Sequence, residues 1–154
     1  MISTDELASL DRSAVRVNGY GGVDAALAMH DELVRIYEQG YNTHTFDFEK
    51  DIGLFMAADV TVVSDGSVGG RSLLAESSEA RADYVCGSGA TVTIDSKVTS
   101  VSDLGATVVL VVEAELTFTY PDQTTFTQRL LASPVLRFLN DRWVYQHIHL
   151  GRSC

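Results

Sequence analysis

Apolar positions recur along this chain with two different periods, and the change between them divides it. From residue 23 to 39, Val23, Ala26, Leu27, Val34 and Tyr37 fall three and four apart with His30 among them, which is one face of a helix. Asp24, Asp31, Glu32, Arg35 and Glu38 lie largely on the other face, and Gly40 is the expected C-terminal stop. Residues 42–56 read as a second helix, with Asp47 in its opening turns and Phe48, Ile52, Phe55 and Met56 on its buried face. Residues 57–63 read as a strand that ends at Ser64-Asp65-Gly66. Residues 71–85 give a third helix, with Leu73, Leu74, Ala80 and Tyr84.

After Cys86-Gly87-Ser88-Gly89 the period shortens to two. Residues 90–101, 105–120, 125–138 and 142–150 are rich in Val, Thr, Leu and aromatics. The breaks between them are short, so these strands are expected to be antiparallel neighbours. Helices first and a long meander afterwards predict an α+β fold, with about three N-terminal helices packed on one face of a curved antiparallel sheet. Residues 1–22 are set apart as an arm. Leu7, Leu10, Ala14 and Val17 suggest a short helix capped by Ser3 or Thr4, and Asn18-Gly19-Tyr20-Gly21-Gly22 forms a joint. The domain proper is residues 23–154.

Strand alternation assigns faces. In the last strand Trp143, Tyr145, His147 and His149 are expected on one side, and Val144, Gln146, Ile148 and Leu150 on the other. The central strands carry apolar residues on both faces, but the helices suffice to cover one. The uncovered face predicts a homodimer.

Length and charge narrow the class. At 154 residues and 16.7 kDa the chain makes one domain with a core large enough to need neither metal nor disulfide. A net charge of −10 argues against nucleic acid or an anionic membrane as partner. Cys86 and Cys154 form no ligand pattern and read as free thiols in a reducing compartment. The first residues lack the basic and apolar regions of a secretory signal, so a cytoplasmic location is expected. No cofactor motif is present.

Four groups of residues could carry chemistry. His147 and His149 stand two apart on a strand, as a pocket pair or as satisfied core groups; no third ligand can be placed for a metal. Asp65 ends a strand, where desolvation would make it a general base, although Asp-Gly is also an ordinary turn. His30 and Tyr37 point inward from the first helix, either as core groups or as donors to a developing oxyanion. Arg129 and Arg137 are expected either to pair with Glu113 and Glu115 across strands or to bind a carboxylate in a cavity.

Together these residues resemble a family. Three helices, a long meander and a closing Trp143-x-x-x-His147-x-His149 strand followed by Gly151 are similar to the nuclear transport factor 2-like superfamily of cystatin-like α+β cones. Within it the chain looks most like the SnoaL-like branch and the association domain of calcium/calmodulin-dependent kinase II. The likeness covers roughly residues 23–151, and Ala58-Asp59-Val60-Thr61-Val62 supports it. The resemblance implies a cone with a cavity between the helices and the concave face of the sheet, and frequent dimers.

Ketosteroid isomerase belongs to that superfamily. Its general-base aspartate is best matched by Asp65, ahead of Gly70-Arg71-Ser72, with Tyr37 as a loose counterpart of its oxyanion tyrosine. No residue matches its second oxyanion acid. Two functions are therefore expected in competition. One is a cofactor-free isomerase, cyclase or dehydratase acting on a small, mostly apolar molecule, with Asp65 as base and Tyr37, His30 or His147 as partner. The other is a non-catalytic dimeric module that binds an apolar or carboxylate-bearing molecule or simply mediates association, with Arg129, Arg137 and His149 lining the cavity; the ligand contacts expected are His30, Trp143, Tyr145, His149 and Arg129.

Overall fold

The computed structural model describes residues 22–64 and 66–152. Residues 1–21 of the expected N-terminal arm, Asp65 and Cys154 lie outside the described residues, and Gly22, assigned to the arm, opens the first helix. Helix α1 (Gly22–Thr43) buries Val23, Ala26, His30 and Leu33 along one stripe. It runs through Gly40 and does not stop there. A Cβ at Gly40 would meet Phe46 Cδ1 at 3.0 Å, so this glycine permits close packing of the chain that folds back. The helix ends at Thr43, and His44 follows in the left-handed region at φ 59°.

The segment expected as a second helix over 42–56 is shorter than the pattern suggested. It consists of one π-helical turn, Phe48–Ile52, and one 3-10 turn, Gly53–Phe55. Asp47 caps it by accepting from the Lys50 amide, and Phe48 and Ile52 are buried. Arg71 then ties it down, donating to the Gly53 carbonyl at 3.0 Å and to Glu49 at 2.9 Å.

Strand β1 (Met56–Ser64) turns back into a short β2 (Ser67–Gly69). Helix α2 (Arg71–Ser88) follows and ends on Gly89, in the left-handed conformation at φ 70°. The meander is β3 (Thr91–Asp103), β4 (Thr107–Thr119), β5 (Thr125–Leu139) and β6 (Arg142–Arg152). The sheet order is β2-β1-β6-β5-β4-β3. Asn140 and Asp141, at φ 52° and 64°, make the tight turn between β5 and β6. The three neighbouring pairs of the meander are antiparallel, as expected; β1 with β2 is antiparallel as well, and β1 with β6 is parallel. The parallel pair is possible because α2 and the rest of the meander form the long crossover it requires.

The main core joins Val23 and Ala26 of α1, Ile52, Val60 and Val62 of β1, and Val108, Leu110 and Leu136 of the sheet. A second cluster at the other end packs Tyr41 against Val85, Val92, Leu116 and Phe118. Between helices and sheet the packing is incomplete. No helix among the described residues is long and apolar enough to cross a membrane.

Candidate functional site

The incomplete packing leaves a cavity of about 170 Å³. Its floor is apolar: Val112, Ala114, Leu130, Ala132, Pro134 and Ile148. Its roof is the inner side of α1 and α2, which bring His30, Tyr37, Ser78 and Arg81. The polar groups are few, as in most sites for small organic molecules.

A register shift decides which residues of β6 reach this space. Tyr145 pairs with Leu136, but His147 already pairs with Val135, so β6 holds one extra residue at this point. The bulge inverts the alternation beyond it. Tyr145 faces the cavity before the bulge, and Ile148 and Leu150 face it afterwards. His147 and His149 are turned to the outer face, which corrects the expectation that they share a side with Tyr145. His147 Nδ1 there meets Thr61 Oγ1 at 2.6 Å, and His149 is exposed.

The polar centre of the cavity spans three elements. His30 of α1 is buried, with 6% of its surface exposed. Its Nδ1 is hydrogen-bonded to the Tyr145 hydroxyl of β6, and its Nε2 to Ser96 Oγ of β3 at 3.2 Å. Burial lowers the His30 pKa, against a smaller opposing effect of Asp31, so the ring is neutral near pH 7. A neutral imidazole donates through one nitrogen and accepts through the other, so Ser96, His30 and Tyr145 form a directional chain of hydrogen bonds. Burial pushes the Tyr145 hydroxyl well above the ordinary tyrosine range, which keeps it protonated.

A second polar group lies at the α2 end. The Tyr37 hydroxyl is 3.0 Å from Ser78 Oγ, and burial pushes its pKa up to about 12. The Tyr41 hydroxyl donates to the Ser78 carbonyl at 3.4 Å. Arg81 completes this end, with its guanidinium 3.5 Å from the amide oxygen of Gln128 on β5.

Of the residues singled out from the sequence, His30, Tyr37 and Tyr145 meet in the cavity. Trp143 is buried in the core, edge-on to Phe138, and is not among the cavity-lining residues. Arg129 lies on the outer face, exposed, with Glu115 at 3.5 Å, which is the cross-strand pair rather than a place in the cavity. Arg137 donates to Gln146, which in turn donates to Asp59, also outside the cavity.

Ser96, Ser78 and Arg81 were not singled out. Their signal was present: Ser96 interrupts the apolar series Val92, Ile94, Val98, and Ser78 and Arg81 interrupt the stripe from Leu74 to Val85. Cys86 is an exposed free thiol, and no group of metal-binding side chains occurs among the described residues.

No protein-family model matches the sequence, and no curated protein matches it. Solved structures do. A protein from Streptomyces avermitilis, described as a candidate dehydratase of the NTF2-like family, aligns with TM-score 0.65 over 86% of this chain and 97% of its own, at 18% identity. The chain has the NTF2-like fold. A domain of unknown function with a cystatin-like fold from Nostoc punctiforme aligns with TM-score 0.61 over 85% of this chain and 76% of its own, at 16% identity. A candidate ketosteroid isomerase from Shewanella frigidimarina gives 0.57 over 77% and 91%, at 18% identity. The NTF2-like frame thus accounts for a pocket between two helices and a curved sheet. The chemistry must be argued from the side chains that line it.

Proposed function

We propose that this protein binds a small, mostly apolar molecule bearing an oxygen acceptor in the cavity, and that it supplies acid chemistry there without a cofactor. The observation that carries this reading is the chain from Ser96 through His30 to Tyr145 at the wall of an otherwise apolar space. With His30 donating to the Tyr145 oxygen, the Tyr145 proton is free to point at a carbonyl or hydroxyl oxygen of the bound molecule. As Tyr145 gives up its proton, the hydrogen bond donated by His30 would stabilise the negative charge that grows on its oxygen. Water is displaced by the ligand, which strengthens each of these interactions.

The size of the ligand follows from the cavity. Apolar cavities of roughly 150 Å³ take up benzene, so about 170 Å³ suits a molecule near one ring in size. Dehydration or isomerisation of such a ring compound is the reaction class this donor favours. The dehydratase and isomerase descriptions given to two NTF2-like neighbours are compatible with it. A base is the remaining requirement. The described residues of the cavity include no carboxylate; Asp65, the sequence's candidate, lies outside the described residues.

The test is titration with cyclohexanone and cyclohexanol, followed by heat of binding and thermal stabilisation. Saturable binding that weakens about tenfold in Tyr145→Phe is expected, as for loss of one good hydrogen bond. Binding unaffected by that change would remove Tyr145 from the proposed role, and no binding of either compound would count against the cavity as a ligand site. We also propose that the outer face of the sheet seats a second copy of the chain. Val109, Val111 and Val135 are only half-buried there, and Leu131 is 45% exposed.

A further inference from the structure

The cavity has two polar ends, and they differ in charge. One end holds neutral groups, Ser96, His30 and Tyr145. The other end holds Arg81, which is the only lining residue among those described that carries a formal charge near neutral pH. Among the described arginines it is the one that lines the cavity. Arg35 is held by Glu32, Arg71 by Glu49 and Arg129 by Glu115. Arg81 makes no ion pair with a described residue; its hydrogen-bond partners are neutral, Gln128 at the long distance of 3.5 Å and the Tyr41 hydroxyl.

The neighbouring acid is committed elsewhere. Glu79 stands two positions before Arg81 on α2, which puts it on nearly the opposite side of the helix. Its carboxylate accepts the Phe48 amide at 2.8 Å and so belongs to the π-helical turn. A half-buried guanidinium that lines an apolar cavity, with only an amide and a tyrosine hydroxyl as partners, suits a small anion, and a carboxylate on an apolar body fits both the planar fork and the surrounding floor. Ser77 and Ser78 on the same helix line the cavity beside it and add hydroxyls to that end.

We propose that Arg81 is a specificity-determining residue and that the ligand is a small apolar carboxylic acid, its anionic group on Arg81 and its apolar body on the floor between the two polar ends. This rests on the reading of the cavity as a ligand site and adds the chemical class of the ligand. Selection would work by charge: the acid satisfies the guanidinium, and the matching amide or alcohol leaves it unsatisfied. The chain's net charge of −10 makes the arrangement more informative, because an acidic protein repels anions unless a local cation is reserved for them.

The experiment compares cyclohexanecarboxylate and cyclohexylacetate with their amides and with cyclohexanone, by calorimetric titration of the full chain and of Arg81→Gln. Either acid is expected to bind at least about tenfold more tightly than its amide, and Arg81→Gln is expected to abolish that preference. Circular dichroism and thermal unfolding show whether the variant is folded, and cyclohexanone, whose oxygen is assigned to Tyr145, tests the rest of the cavity in the parent. Arg81→Lys should keep part of the preference, since the charge remains and the fork is lost. If cyclohexanone binds and the acids show no preference, or keep their preference in Arg81→Gln, Arg81 does not select the ligand and the cavity reading stands. If none of the compounds binds, both proposals fall together.

Discussion

The hydroxyl of Tyr145 and Nδ1 of His30 are hydrogen-bonded across the cavity, joining the last described strand to the first described helix. Removing one partner leaves the other buried without it. Tyr145→Phe keeps the ring and deletes the hydroxyl, so a loss of about 1–3 kcal/mol is expected. For a chain of this size each kcal/mol lowers the melting temperature by about 2–4 °C. Urea and thermal unfolding of the two proteins measure the difference; equal stability would mean that the bond contributes nothing to the fold.

The neutral state of His30 has a consequence for acid stability. Its folded-state pKa lies below the ordinary 6.5, with desolvation as the main cause. The unfolded chain therefore binds this proton more readily than the folded one. The stabilisation is complete above pH 6.5 and is lost as pH falls from there toward the folded value. Asp59, Asp122, Glu32 and Glu49 are held below the usual carboxylate values and so add their own losses only at lower pH. Urea midpoints taken from pH 7.5 to pH 5 should fall in the parent and fall less in His30→Gln. Parallel curves would show that His30 does not carry the dependence.

The bulge in β6 can be deleted. Taking out Gln146 restores plain alternation and leaves the faces as they are, with Tyr145, Ile148 and Leu150 toward the cavity and His147 and His149 outward. The expected result is a folded protein that loses about 1–3 kcal/mol, because the bulge no longer bends the strand where Tyr145 meets His30. Replacing Gln146 by Ala keeps the residue count and should cost under about 1 kcal/mol, since only exposed contacts with Arg137 and Asp59 are lost. Chemical denaturation separates the two outcomes.

An unfilled cavity invites a larger side chain. Ala132 lies on the cavity floor, and Ala132→Leu would place three more carbons in the empty space. The variant is expected to be as stable as the parent or about 0.5–1 kcal/mol more stable, and to lose binding of cyclohexanone. A destabilised variant that still binds would mean that Ala132 does not border the ligand.

The outer face offers a test of association. Leu131 lies opposite Glu113 on β4, so Leu131→Lys removes the apolar surface and gains an opposite charge across the strands. Sedimentation should show a dimer for the parent and a monomer for the variant, with little change in monomer stability. A monomeric parent, or a variant that still dimerises, would exclude this face.

Much of the fold was legible in the sequence because its signals are periodic. The long first helix, α2 and the four strands of the meander all follow from spacing that burial then enforces. The short turns at Phe48–Ile52 and Gly53–Phe55 were not separable from a helix, since Phe48 and Ile52 keep helical spacing even in a π-helical turn. The candidate site was legible where a residue sits in a regular element, as His30 and Tyr37 do. It was misread where regularity breaks. One extra residue in β6 is invisible to a period-two pattern, and it alone decides that Tyr145 enters the cavity and that His147 does not. Arg129 was ambiguous for a different reason: the sequence allows an ion pair or a ligand, and the cross-strand register with Glu115 selects the pair.

The placement of β6 between β1 and β5 also bears on how the protein is made. On the ribosome β1 emerges early and β5 late, and neither has its inner partner until residues 142–152 follow. Until then the nascent sheet has two open edges at what will become its middle, where the exposed backbone can pair with other chains. The closing strand thus acts as a keystone in time as well as in space. It also carries Tyr145, so the polar centre of the cavity assembles in the same step that seals the sheet.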